Sequence, residues 1–134
     1  MTNIGNYAFY QNACTEFIIP FGVTTVGLYV VGLCPNLTSI TISASVTSIG
    51  NYMARGCTNL TEITVDQSNQ TYKSVNGMLL TKDGTAVIQG VNSSNAIVPN
   101  GVTTLNAGAF WGLENLTSLT LPNTLTTINT NAIR

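Results

Sequence analysis

A repeat governs this chain, and it is clearest in residues 46–65, which read VTSIGNYMARGCTNLTEITV. Aligning the copies on the first apolar residue of V-T-[ST]-[IV] places Val23, Val46, Val102 and Leu125 in one column, at separations of 23, 56 and 23 residues. Met1 opens a further copy, MTNIG, 22 positions before Val23. A period of this length is typical of a solenoid, in which each unit buries its apolar face only against its neighbours.

The separation of 56 residues indicates one longer unit among units of 23. Residues 1–134 are therefore predicted to form a single repeat domain. Its predicted units, called units 1 to 6 below, are 1–21, 22–45, 46–65, the long unit 66–101, 102–124 and the partial unit 125–134.

Apolar residues alternate near the end of each regular unit, as in Ile40-Thr41-Ile42. Alternation with a period of two predicts a β-strand whose outer residues point inward and whose middle residue points outward. Stacked at one strand per unit, these segments would form a parallel sheet. Apolar pairs such as Ala8-Phe9 and Val30-Val31 lie in stretches too short for a full helix, so we predict one helical turn per unit on the opposite face.

The long unit carries the turn dipeptides Asn76-Gly77 and Asp83-Gly84, which accept positive φ. They bracket the apolar run MLL at 78–80, and the run AVI at 86–88 follows. This pattern predicts a small β-meander that replaces one helical turn. The segment AIVP at 96–99 is then predicted to return to the solenoid strand.

Composition excludes several classes of function. Only 7% of the residues are charged and the net charge is −1, so there is no basic footprint for nucleic acid or for an anionic membrane surface. No apolar run approaches the ~20 residues that span a bilayer, and no signal peptide starts the chain. Direct membrane insertion is therefore not expected.

The pattern V-T-S-I-G-x-x-A-F-x-G-C-x-N-L-T-S-I-T-I-P, which recurs along the chain, resembles the BspA-like leucine-rich repeat, also called the Treponema pallidum-type repeat. Residues 66–90 are similar to an insertion that recurs in that family. The resemblance implies an α/β but β-rich solenoid: a right-handed leucine-rich-repeat superhelix with a parallel sheet, short helical turns and one β-meander insertion. It also implies a bacterial or protist protein, secreted or on the cell surface, that adheres to host matrix proteins or other cells.

Nothing in the sequence predicts a catalytic site, a metal site or a cofactor. There is no histidine, which removes Ser-His and Cys-His nucleophilic sites, and the five acidic residues are scattered rather than paired. Cys14, Cys34 and Cys57 form no C-x-x-C pair. A Cys34–Cys57 disulfide stays open, because neighbouring strands lie ~4.8 Å apart, but equivalent columns point their Cβ atoms the same way and so favour free buried thiols.

We predict a non-enzymatic protein-interaction or adhesion module that binds along its outward strand positions. Solenoids tend to bind along such extended faces. The predicted binding face, called the strand face below, consists of Glu16, Ile18, Ser39, Thr41, Glu62, Thr64, Asn95, Ile97, Ser118 and Thr120.

Two alternatives remain open. The chain could be a structural repeat segment of a larger surface protein whose binding site lies elsewhere. It could also bind carbohydrate along the column formed by Tyr7, Tyr29 and Tyr52, although rings that cover the edge of the core explain the same column. Trp111, a large aromatic residue at an outward position, is a further contact candidate.

Both ends of the sequence open into repeat copies without a polar capping unit. This arrangement predicts exposed apolar columns at Ile4 and Phe9 on one side and at Leu125, Ile128 and Ile133 on the other. We therefore expect end-to-end self-association, or cover by neighbouring repeats of a longer array.

Overall fold

The computed structural model describes residues 2–133; Met1 and Arg134, and with Met1 the predicted start of the first repeat copy, lie outside the described residues. The described chain is a β-solenoid with parallel sheets. Its strands are β1 (Asn3–Ile4), β2 (Glu16–Ile19), β3 (Thr25–Val26), β4 (Ser39–Ile42), β5 (Ser48–Ile49), β6 (Glu62–Val65), β7 (Tyr72–Val75), β8 (Met78–Thr81), β9 (Ala86–Gln89), β10 (Asn95–Ile97), β11 (Thr104–Leu105), β12 (Ser118–Thr120) and β13 (Thr127–Ile128).

The first three units form two regular parallel sheets. The long strands are ordered β2-β4-β6 and the short strands β1-β3-β5. Equivalent positions pair, so that Thr41 of β4 lies between Ile18 of β2 and Thr64 of β6. Exposed and buried residues alternate along β2, β4 and β6, which confirms the predicted inward and outward positions of these strands.

The predicted helical turns are wrong, because residues 2–133 contain no α-helix. Tyr7 (φ 58°) and Gln11 (φ 57°) are left-handed, which interrupts any helical turn. The Phe9 N–H donates to the carbonyl oxygen of Val30 in the next unit, at 2.8 Å, rather than along its own segment. The α/β class is therefore corrected to a β-solenoid whose units are joined on this side by hydrogen-bonded turns. The described residues therefore also contain no helix that is long and apolar enough to cross a membrane.

The predicted β-meander is present. Strands β7 and β8 pair antiparallel around Asn76 (φ 54°) and Gly77 (φ 79°), the two positive φ values of a type I′ hairpin turn. Strand β9 pairs antiparallel with β8 and parallel with β11, so the short-strand sheet resumes in the order β9-β11-β13. Strand β10 pairs parallel with β12.

The tip of this hairpin separates the long strands into two sheets. Strands β6 and β10 belong to different sheets, and residues 76–77 lie between them. The Ile63 N–H donates to the Gly77 carbonyl oxygen at 2.9 Å, and the Asn76 Nδ2 donates to the Ile97 carbonyl oxygen at 3.2 Å. The ladder of long strands is thus interrupted after β6.

One apolar core runs through the stacked units and includes two fully buried thiols. Cys34 and Cys57 are unpaired, and their Sγ atoms donate to the carbonyl oxygens of Phe9 (3.1 Å) and Val31 (2.9 Å) in the preceding unit. Burial raises the pKa of Cys57 to about 12. These cysteines therefore pack as small apolar residues with a weak donor.

Candidate functional site

The strand-face residues fall into two groups, and every one of them is exposed except the half-buried Ser39. On sheet β2-β4-β6 they form two ladders, Glu16–Ser39–Glu62 and Ile18–Thr41–Thr64. On sheet β10-β12 they form the pairs Asn95–Ser118 and Ile97–Thr120. The hairpin tip at 76–77 lies between β6 and β10, so the two groups do not share one continuous ladder.

The chemistry of the strand face is apolar and hydroxyl-rich. Ile18 and Ile97 are 61% and 56% exposed, which is high for large aliphatic side chains. Thr41 and Thr64 continue the ladder of Ile18, and their β-branched side chains lose little rotamer freedom when a partner covers them.

A second surface lies on the turn side of the solenoid and is called the aromatic row below. It consists of Tyr10, Tyr7, Tyr29, Tyr52, Arg55 and Trp111. The rings of Tyr7 and Tyr29 are nearly parallel, with centroids 5.0 Å apart, and those of Tyr29 and Tyr52 are 4.9 Å apart. Tyr10 meets the edge of this stack, 5.2 Å from Tyr7 with an interplanar angle of 77°.

The tyrosines of the row occupy strained backbone positions. Tyr7, Tyr29 and Tyr52 have φ values of 58°, 54° and 62°, a region that bulky side chains rarely adopt and that costs roughly 1 kcal/mol or more. Gly108 (φ 73°) is the corresponding residue in unit 5, and a Cβ there would lie 2.2 Å from the ring of Tyr52. Glycine at this position therefore leaves the space that the Tyr52 ring fills.

Arg55 and Trp111 meet although they are far apart in sequence. The guanidinium carbon of Arg55 lies 3.6 Å from the centroid of the Trp111 ring, in a cation–π contact. The Gly56 N–H donates to the Trp111 carbonyl oxygen at 3.1 Å, so the turns of units 3 and 5 are in direct contact. Unit 4 has no turn on this side, because its solenoid part is short.

Sequence reasoning placed Trp111 and Arg55 in one column but did not bring them together, since a whole long unit was expected between them. A weak signal was available. GTAV at 84–87 aligns with VTTL at 102–105, which is a separation of 18 residues instead of 23, and β9 and β11 pair in this register. The shorter separation means that unit 4 lacks the residues that form the turn in the regular units.

The middle ring of the tyrosine stack has no ring face open to solvent. Both faces of Tyr29 are covered, one by Tyr7 and the other by Tyr52. The edge of an aromatic ring carries the positive end of its quadrupole, whereas the face carries the negative end. The middle ring of the row, Tyr29, thus has no face on which a neutral sugar could stack.

Acidic and sulfur-containing residues do not gather into a site. Within residues 2–133 no group of three or more His, Cys, Asp or Glu side chains could hold a metal ion. Asp83 accepts hydrogen bonds from the Thr85 and Thr81 hydroxyls, both at 2.8 Å, and the Thr85 bonds are the main reason that its pKa lies below its usual range. This carboxylate belongs to the turn that precedes β9.

The apolar columns are open at both ends of the described solenoid. A cavity of about 330 Å³ lies at the first turn, where Ile4, Phe9 and Phe17 line it. Ile4 is itself buried, whereas Phe9 is 40% exposed. At the other end Ile128 and Ile133 are 53% and 44% exposed, and Leu125 is half-buried.

The chain was compared with models of known protein families and with curated proteins. The model described as a BspA type leucine rich repeat region matches residues 1–76 and 84–134 in six copies. No curated protein matches the chain in sequence.

Bacterial leucine-rich repeat structures have a similar fold. A leucine-rich repeat protein from Eubacterium ventriosum is 26% identical over 98% of this chain and 36% of its own, with a TM-score of 0.88. A leucine rich cell surface protein from Faecalibacterium prausnitzii is 25% identical over 98% of this chain and 42% of its own, with a TM-score of 0.69. The pneumococcal vaccine antigen PcpA, 19% identical over 93% of this chain and 44% of its own (TM-score 0.66), shares the fold alone. The chain spans less than half the length of each of these proteins.

Proposed function

Because the chain belongs to the BspA-type leucine-rich repeat family, we propose that it is a non-enzymatic protein-interaction module of a secreted or cell-surface protein. The observation that carries the proposal is the strand face, where Ile18 and Ile97 are more than half exposed among threonine and serine side chains. The Faecalibacterium relative, described as a cell surface protein, supports the location. The partner class that the family resemblance implies is a host matrix or cell-surface protein.

The strand face supports binding by shape and hydrophobicity more than by charge. Its only charged side chains are Glu16 and Glu62, which lie at the same end of their strands with Ser39 between them. A partner that covers Ile18 and Thr41 removes apolar surface from water, which stabilises the complex by roughly 25 cal/mol per Å² of apolar area before the costs of association.

The experiment is a binding screen of the chain against immobilised extracellular-matrix proteins and a glycan array. Thr41→Asp places a charge in the middle of the strand face, and we expect it to weaken binding to any matrix protein that the wild type captures. Thr25→Asp is the matched control, because Thr25 is also exposed in the middle strand of a three-stranded sheet, β1-β3-β5. Equal loss of binding in both variants would contradict the strand face as the site.

The same screen separates the two alternatives. A structural segment whose binding site lies elsewhere in a longer protein would capture no matrix protein and no glycan. A carbohydrate-binding column would capture glycans in a manner that Tyr29→Ala abolishes and Thr41→Asp leaves unchanged. The covered faces of Tyr29 favour the protein partner over this second alternative.

A second candidate function is self-association through the ends of the solenoid, which the cavity at Ile4, Phe9 and Phe17 favours. Ile128 and Ile133, exposed at the opposite end, are the complementary apolar surface. We expect light scattering to show a mass that rises with concentration and an Ile128→Ser variant to lower that mass. A single monomeric mass across the concentration series would refute self-association.

A further inference from the structure

The aromatic row contains a positive charge, Arg55, that a neighbouring aromatic ring holds in place. The guanidinium of Arg55 lies over the ring of Trp111 at 3.6 Å. Among residues 2–133 no acidic side chain forms an ion pair with Arg55. A planar guanidinium that is stacked on an aromatic ring loses little freedom when it forms a bidentate pair with a carboxylate.

The tyrosines of the row, like Arg55, favour an electron-rich group on a partner. Tyr7, Tyr29 and Tyr52 are stacked face to face, so Tyr29 can offer a partner only its ring edge, while Tyr7 and Tyr52 each have one face covered by Tyr29. Ring edges are the positive part of the aromatic quadrupole, and each phenol adds an O–H donor. Arg55 and the tyrosine edges therefore both favour an electron-rich group on a partner.

From this charge complementarity we propose that the aromatic row docks an acidic segment of a partner protein, with one Asp or Glu carboxylate paired to Arg55. Tyrosine, tryptophan and arginine are the residue types that contribute most to protein–protein binding energy. Successive ring centroids from Tyr7 to Trp111 are 5.0, 4.9 and 5.6 Å apart. The length of the row therefore equals that of about five residues of an extended peptide. The three strained tyrosine backbones are consistent with side chains kept for contact rather than for folding.

A polyanion is a poorer fit than an acidic peptide. Sulfated polysaccharides and nucleic acids are held by several clustered cations, whereas within residues 2–133 Arg55 is the single cation of this surface, and the whole chain has a net charge of −1. A segment with one carboxylate flanked by apolar side chains suits one guanidinium beside partly buried rings. The aromatic row lies on the turn side and the strand face on the long strands, so the two binding proposals stand separately.

The test selects a phage-displayed library of random eight-residue peptides on the wild-type chain, with counter-selection on Arg55→Gln. Trp111 is the only tryptophan, so its fluorescence reports binding at the row directly. We expect the selected peptides to be enriched in Asp or Glu and to change the Trp111 emission. Arg55→Gln should weaken them about tenfold or more, the usual effect of losing a charge-assisted bond.

Matched variants locate the effect. Lys82→Gln removes one exposed positive charge outside the row and should leave peptide affinity unchanged. A circular dichroism spectrum like that of the wild type shows that Arg55→Gln is folded. Selection of no peptide, selection without acidic enrichment, equal affinity for Arg55→Gln, or displacement by heparin but not by a glutamate-containing peptide would each overturn the proposal.

Discussion

The first and second halves of the molecule hold their units together in different ways. In residues 2–65 main-chain hydrogen bonds join neighbouring units at regular intervals. The Thr38 N–H donates to the Thr15 carbonyl oxygen at 2.9 Å, and the Thr61 N–H donates to the Thr38 carbonyl oxygen at 3.0 Å. In residues 66–133 the repeat is interrupted, and side chains take over part of that role. The buried polar residues of the described chain are Asn69, Gln89 and Asn92, and all three lie in the long unit.

Each of these side chains pairs main-chain groups that the insertion leaves without a regular neighbour. Asn69 Nδ2 donates to the carbonyl oxygens of Ser43 and Val46, while its Oδ1 accepts from the N–H groups of Thr71 and Tyr72. A carboxamide has the same donor and acceptor as a peptide group, so it can replace one in a ladder.

Gln89 does the same where the turn of unit 4 is missing. Its Oε1 accepts from the Ala54 N–H at 3.2 Å in unit 3, and its Nε2 donates to the Ala109 carbonyl oxygen at 3.1 Å in unit 5. Buried main-chain groups must be paired, because an unpaired one costs about 1–3 kcal/mol. A repeat can therefore lose a turn if a side chain supplies the missing hydrogen bonds.

The largest effect should come from the regular half. Ile42→Asp places a charge at a fully buried position, and we expect loss of cooperative folding or a cost above about 4 kcal/mol. Thr41→Asp, one residue away but exposed, should change stability by less than about 0.5 kcal/mol. Urea and thermal unfolding followed by circular dichroism measure both. Similar losses from the two variants would mean that the inward and outward columns are misassigned.

Substituting the amides should show that side chains support the irregular half. Asn69→Ala leaves two carbonyl and two N–H groups without their partner, and we expect a cost of roughly 3 kcal/mol. The control is Asn12→Ala in the regular half, where the exposed side chain accepts one N–H and the cost should stay below about 1 kcal/mol. Equal costs in urea unfolding would erase the contrast between the halves.

A pH titration should distinguish the halves through Cys57, whose column holds Leu113 in unit 5. Burial raises the pKa of Cys57 from 9.0 to about 12, so the folded state binds more protons than the unfolded state between these values. Its contribution is complete below pH 9 and is lost as the pH rises toward 12, at up to about 1.4 kcal/mol per pH unit. Cys57→Ala should flatten this part of the stability profile; an unchanged slope would place the alkaline loss elsewhere.

The smallest effect concerns the contact between units 3 and 5. A double-mutant cycle with Arg55→Gln and Trp111→Leu should give a coupling energy of about 0.5–1 kcal/mol, as expected for a partly exposed cation–π pair. Unfolding of the four proteins in urea measures it. Additive losses would show that the two side chains lie together without stabilising each other.

Much of the regular architecture could be predicted from the sequence. Equivalent residues stack on one another in a solenoid, so the spacing of Val23 and Val46 already indicated the parallel register that pairs Thr25 with Ser48. The meander followed from Asn76-Gly77, because few dipeptides accept two positive φ values. The helical turns were wrong because a short apolar pair has the same pattern in a helix and in a series of turns. The choice depends on whether alternate N–H groups find carbonyls in the next unit, as that of Phe9 does.

The sequence by itself determined the repeat, the buried columns and the outward position of the strand-face residues, since all of these depend on local period. Only the tertiary structure decided where the surfaces begin and end. The Asn76-Gly77 tip lies between β6 and β10 and divides the strand face, and the missing turn of unit 4 brings Arg55 onto Trp111. Both results follow from how a non-repeating segment packs against its neighbours, and a repeat pattern carries no information about such packing.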